Sequence, residues 1–258
     1  MKIVTIVHIY YPEMWRELKE YLKNIFVPYD LIVTFAAKYE DIENDIINFK
    51  ADAKIMYVDN CGYDVGPFMK ALQSVNLDNY EYLIKLHTKR NLNFQYPPLM
   101  LSYYKFAFKS WRETLLSFIS SEDNLKKCIN SFENNHGLGM INNYKLFINK
   151  KFEGDKYVWE KVENFLKKND IYIDDFKYIA GTMFIARASL FKFLQEKTFE
   201  FNETNRFDFH SNAHVLERVF GAIIYGQGKY IADVFSKNPY PSIKDYFLFN
   251  QFYVLFCK

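Results

Sequence analysis

Apolar positions along the first part of the chain follow two rhythms in turn. Residues 2–9 (K-I-V-T-I-V-H-I) make a continuous β-branched run rather than an alternating one, the pattern of a parallel strand covered on both faces, and the run stops at the turn around Pro12. Trp15, Leu18, Tyr21, Leu22 and Ile25 then recur at helical spacing. Residues 30–35 (D-L-I-V-T-F) again predict a strand, Ile42, Ile46, Ile47 and Phe49 a helix, residues 54–58 (K-I-M-Y-V) a third strand and residues 77–86 a fourth. Strands and helices in strict alternation with short connections predict an α/β domain built on a mainly parallel sheet flanked by helices.

The middle of the chain is more polar and more helical. Tyr104, Phe108, Trp111, Leu115 and Phe118 keep a 3.6-type period, and a second helix is expected over 157–168. N-N-H-G-L-G-M-I, punctuated by Gly137 and Gly139, reads as a loop entering a strand. Residues 178–186 (Y-I-A-G-T-M-F-I-A) predict one strand, residues 189–194 a helix, and a last helix is expected to start near Ser211 or Asn212, either of which can cap it. No repeat or linker divides the chain. Residues 1–235 are therefore read as one domain and 236–258 as an aromatic extension, packed on that domain or lying on a membrane surface.

Charge and cysteine content narrow the function classes. With 33 Lys and Arg against 31 Asp and Glu in 258 residues, the global field is weak, so nucleic acid is not an expected partner. Cys61, Cys128 and Cys257 are odd in number and widely spaced, which fits a reducing cytoplasm better than a disulfide framework. The N-terminal apolar run is too short for a signal peptide core and no later stretch reaches the ~18 to 20 uninterrupted apolar residues of a membrane span. A cytoplasmic protein is expected, with peripheral contact to the inner membrane left open.

Three stretches offer chemistry. D-N-C-G-Y-D-V-G-P-F (59–68) follows the third strand, at the carboxyl edge where open α/β sheets bind ligands. Gly62 lets backbone approach a ligand, and Asp59, Asn60 and Asp64 offer acceptors; a plain turn into a helix is the other reading. Y-L-I-K-L-H-T-K-R (82–90) brings His87, Thr88, Lys89 and Arg90 to that same edge, positive groups and a hydroxyl suited to a phosphate or diphosphate. I-A-G-T-M-F-I-A-R (179–187) pairs with S-N-A-H-V-L-E-R-V-F (211–220), where His214, Glu217 and Arg218 share one helical face, either as a general-base assembly or as a surface ion pair. None of these spacings is a metal signature.

Taken in order, N-C-G-Y-D-V-G-P-F, Y-L-I-K-L-H-T-K, W-R-E-T-L-L, G-T-M-F-I-A-R and A-H-V-L-E-R-V-F resemble the motif set of the rhamnan synthesis protein F family of bacterial polysaccharide glycosyltransferases. Before the last helix this chain has F-H-S-N where the family pattern is closer to D-G-T. The order of parts is also similar to nucleotide-sugar transferases of GT-A type, in which the fourth strand ends in a metal-binding Asp-x-Asp. That resemblance implies a GT-A-like fold, a nucleotide-sugar donor, a glycan or lipid-linked acceptor, and a role in surface polysaccharide or lipopolysaccharide synthesis. It lays His87 and Lys89 on the two aspartates, so the expectation is that cations, with Thr88 and Arg90, receive the diphosphate and that no metal cofactor is used. It further implies Glu217, with His214 close behind, as the base, Asp59, Asn60, Gly62 and Asp64 on the nucleotide and sugar, and Gly181 and Thr182 on the acceptor side. A non-catalytic sugar-binding or scaffolding subunit of a synthase complex is the competing expectation.

Overall fold

The structure, a computed structural model, describes residues 1–90, 111–152, 155–202 and 210–235. Its centre is a sheet of seven strands in the order β3-β2-β1-β4-β8-β5-β9: β1 (Ile3–Ile9), β2 (Tyr29–Phe35), β3 (Lys54–Tyr57), β4 (Tyr82–His87), β5 (Leu138–Ile141), β8 (Phe184–Arg187) and β9 (Tyr230–Ala232). All run parallel except β8, which is antiparallel to both β4 and β5. The predicted mainly parallel α/β sheet is thus the observed one. Every residue of β1 and of β4 is buried, as expected of strands covered on both faces, while the edge strand β3 is half exposed. At roughly 1.5 to 3 kcal/mol per fully buried aliphatic side chain, Ile3, Val4, Ile6, Val7 and Ile9 make β1 the anchor of the core.

Two helices of the first half follow the predicted spacing, α1 (Trp15–Leu22) and α2 (Glu40–Phe49), and α3 (Val65–Gln73) begins where the turn before Pro67 offers a helix entry. The predicted fourth strand is shorter than its apolar pattern, because Leu77–Asn79 form a 3-10 turn capped by the Asn76 side chain before β4 begins at Tyr82. Helix Glu122–Asn134 was not anticipated; Ser121 caps it and Leu125, Cys128, Ile129 and Phe132 face the core. The helix expected across Tyr104 to Phe118 is described only from Trp111, as the short helix Trp111–Leu115 and a 3-10 turn Ser117–Ile119, with Tyr104 and Phe108 outside the described residues. Residues 189–194 split into a 3-10 turn Ala188–Phe191 and a short helix Lys192–Gln195. The aromatic extension 236–258 also lies outside the described residues. No described helix is long and apolar enough to cross a membrane.

The single strand predicted over 178–186 is two strands in two sheets. β7 (Lys177–Ile179) pairs with β6 (Phe147–Asn149), and only β8 joins the main sheet. Gly181 and Thr182, with φ of +78° and +51°, separate them. Two consecutive left-handed residues reverse the chain, which no strand accommodates. On the far side of this turn Phe68 of α3, Phe184 of β8 and Phe220 of the late helix Asn212–Gly226 pack with ring centroids 5.5 to 6.4 Å apart, tying together the three elements that carry the site.

Candidate active site at the carboxyl edge of the sheet

The strand order reverses direction at β1, whose neighbours are β2 on one side and β4 on the other, so the crevice of an open α/β sheet opens beyond the carboxyl ends of β1 and β4. His8 and His87 are register partners there. Just past them the Thr88 amide donates to the His8 carbonyl, and the Thr88 hydroxyl accepts from the amides of Tyr10 and Tyr11 at 3.0 and 2.9 Å. Thr88 is buried and its oxygen is engaged in shaping the exit of β1. Both amides use its lone pairs, so the hydroxyl proton is what it has to offer the phosphate expected there.

Asp64 is the hub of the site. It occupies the position before α3, yet its carboxylate makes no capping bond; instead it turns toward the sheet. Lys85 donates to Asp64 Oδ2 at 2.5 Å and to the Thr182 hydroxyl at 2.7 Å, and Thr182 donates to the same Asp64 oxygen at 2.5 Å. Lys85 is 1 % exposed, so its charge stands only because a carboxylate meets it. Two left-handed turns are thereby clasped together: Gly62 and Tyr63, with φ of +73° and +54°, lead into Asp64, and Gly181 and Thr182 stand across from it. Tyr63 and Thr182 are non-glycine residues held in a sparsely populated region, a conformation that persists only where the surroundings fix it and that concentrates at functional sites. Phe201 covers Gly62 so closely that a Cβ there would lie 2.4 Å from its ring.

The electrostatics follow from burial. Burial pulls His87 down to about 3 and His8 to about 4, in each case overriding the attraction of Asp64. Both imidazoles are therefore neutral near pH 7. This corrects the reading of His87 as a standing cation: it lies 3.4 Å from Asp64 through Nδ1, buried and uncharged near neutral pH. For Asp64, burial favours the neutral acid, but the charged neighbourhood and the bonds from Lys85 and Thr182 win and hold the carboxyl well below its usual range. Burial lowers Lys85, and Asp64 opposes the shift.

Lys89 and Arg90 emerge from the crevice. Lys89 is half exposed with its ammonium 5.7 Å from the Trp111 ring centroid, and Arg90 lies over the Tyr11 ring at 4.2 Å and pairs with Glu13. The expected quartet is thus two buried residues and two outward cations. Asp59 and Asn60 are exposed on the loop after β3.

The late helix closes the other side. Glu217 is buried; one oxygen accepts from the Gly181 amide at 2.8 Å and the other from Arg218 Nη1 at 3.2 Å. Arg218 also donates to the His214 carbonyl and stacks over Tyr178. Glu217 thus braces the Gly181 turn. His214 is less buried, its Nδ1 2.9 Å from the Ser211 hydroxyl and its ring 5.4 Å from that of Tyr63, so it touches the Gly62 turn directly. Ser211 sits at the helix cap position without capping, because its hydroxyl is spent on His214. The face predicted to hold His214, Glu217 and Arg218 does hold them, with Glu217 engaged by the Gly181 amide and Arg218, and His214 by Ser211 and Tyr63. Sequence reasoning missed Tyr63 and the pairing of Lys85 with Asp64. A lysine inside the apolar strand Y-L-I-K-L-H was the available signal, since a buried ammonium requires a counter-charge.

Comparison with known proteins bears on the fold and the lineage. The crystal structure of S. aureus TarS 1-349 superposes with a TM-score of 0.50 at 12% sequence identity, covering 96% of this chain and 63% of that one, a likeness of fold. This chain therefore spans less than two thirds of that structure's length. No curated protein matches the sequence. The rhamnan synthesis protein F family matches residues 1–229, which contain the Asp64 hub, the end of β4, the Gly181 turn and the late helix, and the chain belongs to that family of polysaccharide synthesis.

Proposed function

We propose that this protein is a glycosyltransferase that moves a sugar, rhamnose or another hexose, from a nucleoside-diphosphate donor to a glycan or lipid-linked acceptor in bacterial surface polysaccharide or lipopolysaccharide assembly, working at the cytoplasmic side. The observation that supports the reading is the clasp of Asp64, Lys85 and Thr182, which joins two left-handed turns beside the carboxyl-edge crevice, with Lys89 by Trp111 just past the end of β4 and His214 against Tyr63 of one turn. Glycosyl transfer breaks the bond from sugar to phosphate through an oxocarbenium-like state. Negative charge grows on the departing diphosphate while the acceptor hydroxyl gives up a proton. A positive group on one side and a base on the other are what the reaction requires.

Lys89, half exposed beside the buried His87, takes the leaving group, with Arg90 near the nucleotide end. A divalent cation at the end of β4 does not suit the residues present, since His87 and Lys89 stand where carboxylates would be needed, and no cluster of three or more candidate ligands occurs among the described residues. His214 takes the proton from the acceptor. Glu217, with both oxygens engaged by Gly181 and Arg218, positions the acceptor-side turn rather than acting as the base. Asp64 holds the donor-side turn, and Asp59 and Asn60 face the nucleotide or sugar from the exposed loop.

Incubating the purified chain with a panel of nucleotide sugars in EDTA tests this. Release of nucleoside diphosphate, or a thermal shift specific to one nucleotide, is expected, and Lys89→Ala is expected to lower turnover about 10²-fold. Activity that returns only on adding Mn²⁺ or Mg²⁺ refutes the metal-free reading. Silence across the whole panel favours a non-catalytic sugar-binding subunit instead.

A further inference from the structure

We propose that the cavity at the N-terminal end of the late helix is a subsite for a neutral pyranose unit of the acceptor glycan, an assignment that rests on the glycosyltransferase reading. The cavity measures about 410 Å³ and its walls are polar. Lys161 and Glu200 bring opposite charges, Asn202 and Asn212 bring amides, Ser211 brings a hydroxyl, and Tyr157, 53 % exposed, brings an aromatic ring. Among the described lining residues the charges oppose one another, which does not select an anion, and little of the wall they form is apolar, which disfavours a lipid tail. Donors and acceptors interspersed around one exposed ring are what a sugar needs, since its hydroxyls both give and accept hydrogen bonds while its C–H face lies against an aromatic ring.

The ring is held in place before any ligand arrives. Tyr157 is set in the first turn of helix Lys156–Lys168, its ring centroid 4.8 Å from that of His210 and 4.6 Å from the Lys161 ammonium. Lys161 in turn donates to the His210 carbonyl at 2.9 Å, and Asn212 donates to the Glu200 carbonyl at 2.6 Å, so the walls from three parts of the chain are tied together. Preorganisation of this kind lowers the entropic cost of binding. The cavity also adjoins the reacting centre: Ser211 lines it and holds His214, whose ring meets Tyr63 of the donor-side turn. A sugar seated in the cavity therefore precedes, along the acceptor chain, the unit whose hydroxyl reaches His214.

Titration of the full chain with a rhamnose trisaccharide, followed by saturation-transfer NMR, tests the subsite. Nucleoside diphosphate binding, measured separately, tests the transferase reading. Saturable binding is expected, weakened about tenfold by Tyr157→Ala and little changed by Tyr157→Phe, which keeps the ring. The melting temperature of Tyr157→Ala confirms that it folds. No saturable saccharide binding while nucleotide binds overturns the subsite alone; saccharide binding without nucleotide binding removes the transferase reading and with it the acceptor role, and leaves only a saccharide-binding site. Displacement of the saccharide by inorganic phosphate, or equal binding by wild type and Tyr157→Ala, also overturns the subsite.

Discussion

Acidification should destabilise this protein well above the pH at which carboxylates titrate, because two of its five histidines are buried and neutral. Their ordinary value is 6.5 and burial brings His8 to about 4 and His87 to about 3. Between those values and 6.5 the unfolded chain binds protons that the folded chain refuses. Stability is therefore full above pH 6.5 and falls as the pH drops below it. At pH 5 each histidine has lost about 1.5 pH units of the linkage, or ~2 kcal/mol at 1.36 kcal/mol per unit, so the pair costs ~4 kcal/mol relative to pH 7.5. That is a large share of the 5 to 15 kcal/mol typical of a folded domain. Asp64, whose carboxyl lies below its usual range, adds its own loss only at lower pH, below about 4. Urea unfolding at pH 7.5 and pH 5 measures the difference, and His87→Asn should remove about half of the pH dependence whatever it does to the stability at pH 7.5. A wild-type loss under about 1 kcal/mol over that interval, or an unchanged slope in His87→Asn, would refute the argument that burial keeps these imidazoles neutral.

Asp64→Ala leaves the Lys85 ammonium buried without its carboxylate and is expected to cost about 3 to 5 kcal/mol in chemical denaturation, most of it restored in the double variant with Lys85→Met. Failure of the second change to rescue the first would mean that Asp64 stabilises through something other than Lys85. Gly181→Ala forces a side chain into φ +78° and places a Cβ 2.8 Å from Leu115; a loss of about 1 to 3 kcal/mol and a lower acceptor-dependent rate are expected, read from melting curves and steady-state kinetics. His214→Ala should lower turnover by about 10² to 10⁴-fold if it is the base, whereas Glu217→Gln, which can still accept from the Gly181 amide, should act less severely. The reverse ranking would return the base to Glu217.

Much of the architecture was legible without coordinates. The fully apolar run at 2–9 and the helical spacing from Trp15 to Ile25 predict β1 and α1 because such patterns are local, and alternation of the two dictates a parallel sheet. That topology in turn brings the Gly62 loop and the end of β4 to one edge, and the ordered motifs place the chain in its family. The reading of Y-I-A-G-T-M-F-I-A as one strand failed for a physical reason. Its apolar pattern is continuous, and only contacts from β6 on one side and β4 and β5 on the other divide it at Gly181. Helix Glu122–Asn134 went unread although Ser121 and a core-facing stripe mark it.

The charge states belonged to the tertiary structure. A histidine after a strand and a glutamate on a helix look alike in sequence whether they face water or the core. His87 is neutral because burial outweighs the attraction of Asp64, and both Glu217 oxygens are engaged because the Gly181 amide reaches one from a distant part of the chain while the neighbouring Arg218 holds the other. Residue order determined which elements form and which edge they share. Desolvation and partner choice, which depend on everything packed around a group, decided which of the residues at that edge carry charge, which hold the turns, and which face the crevice.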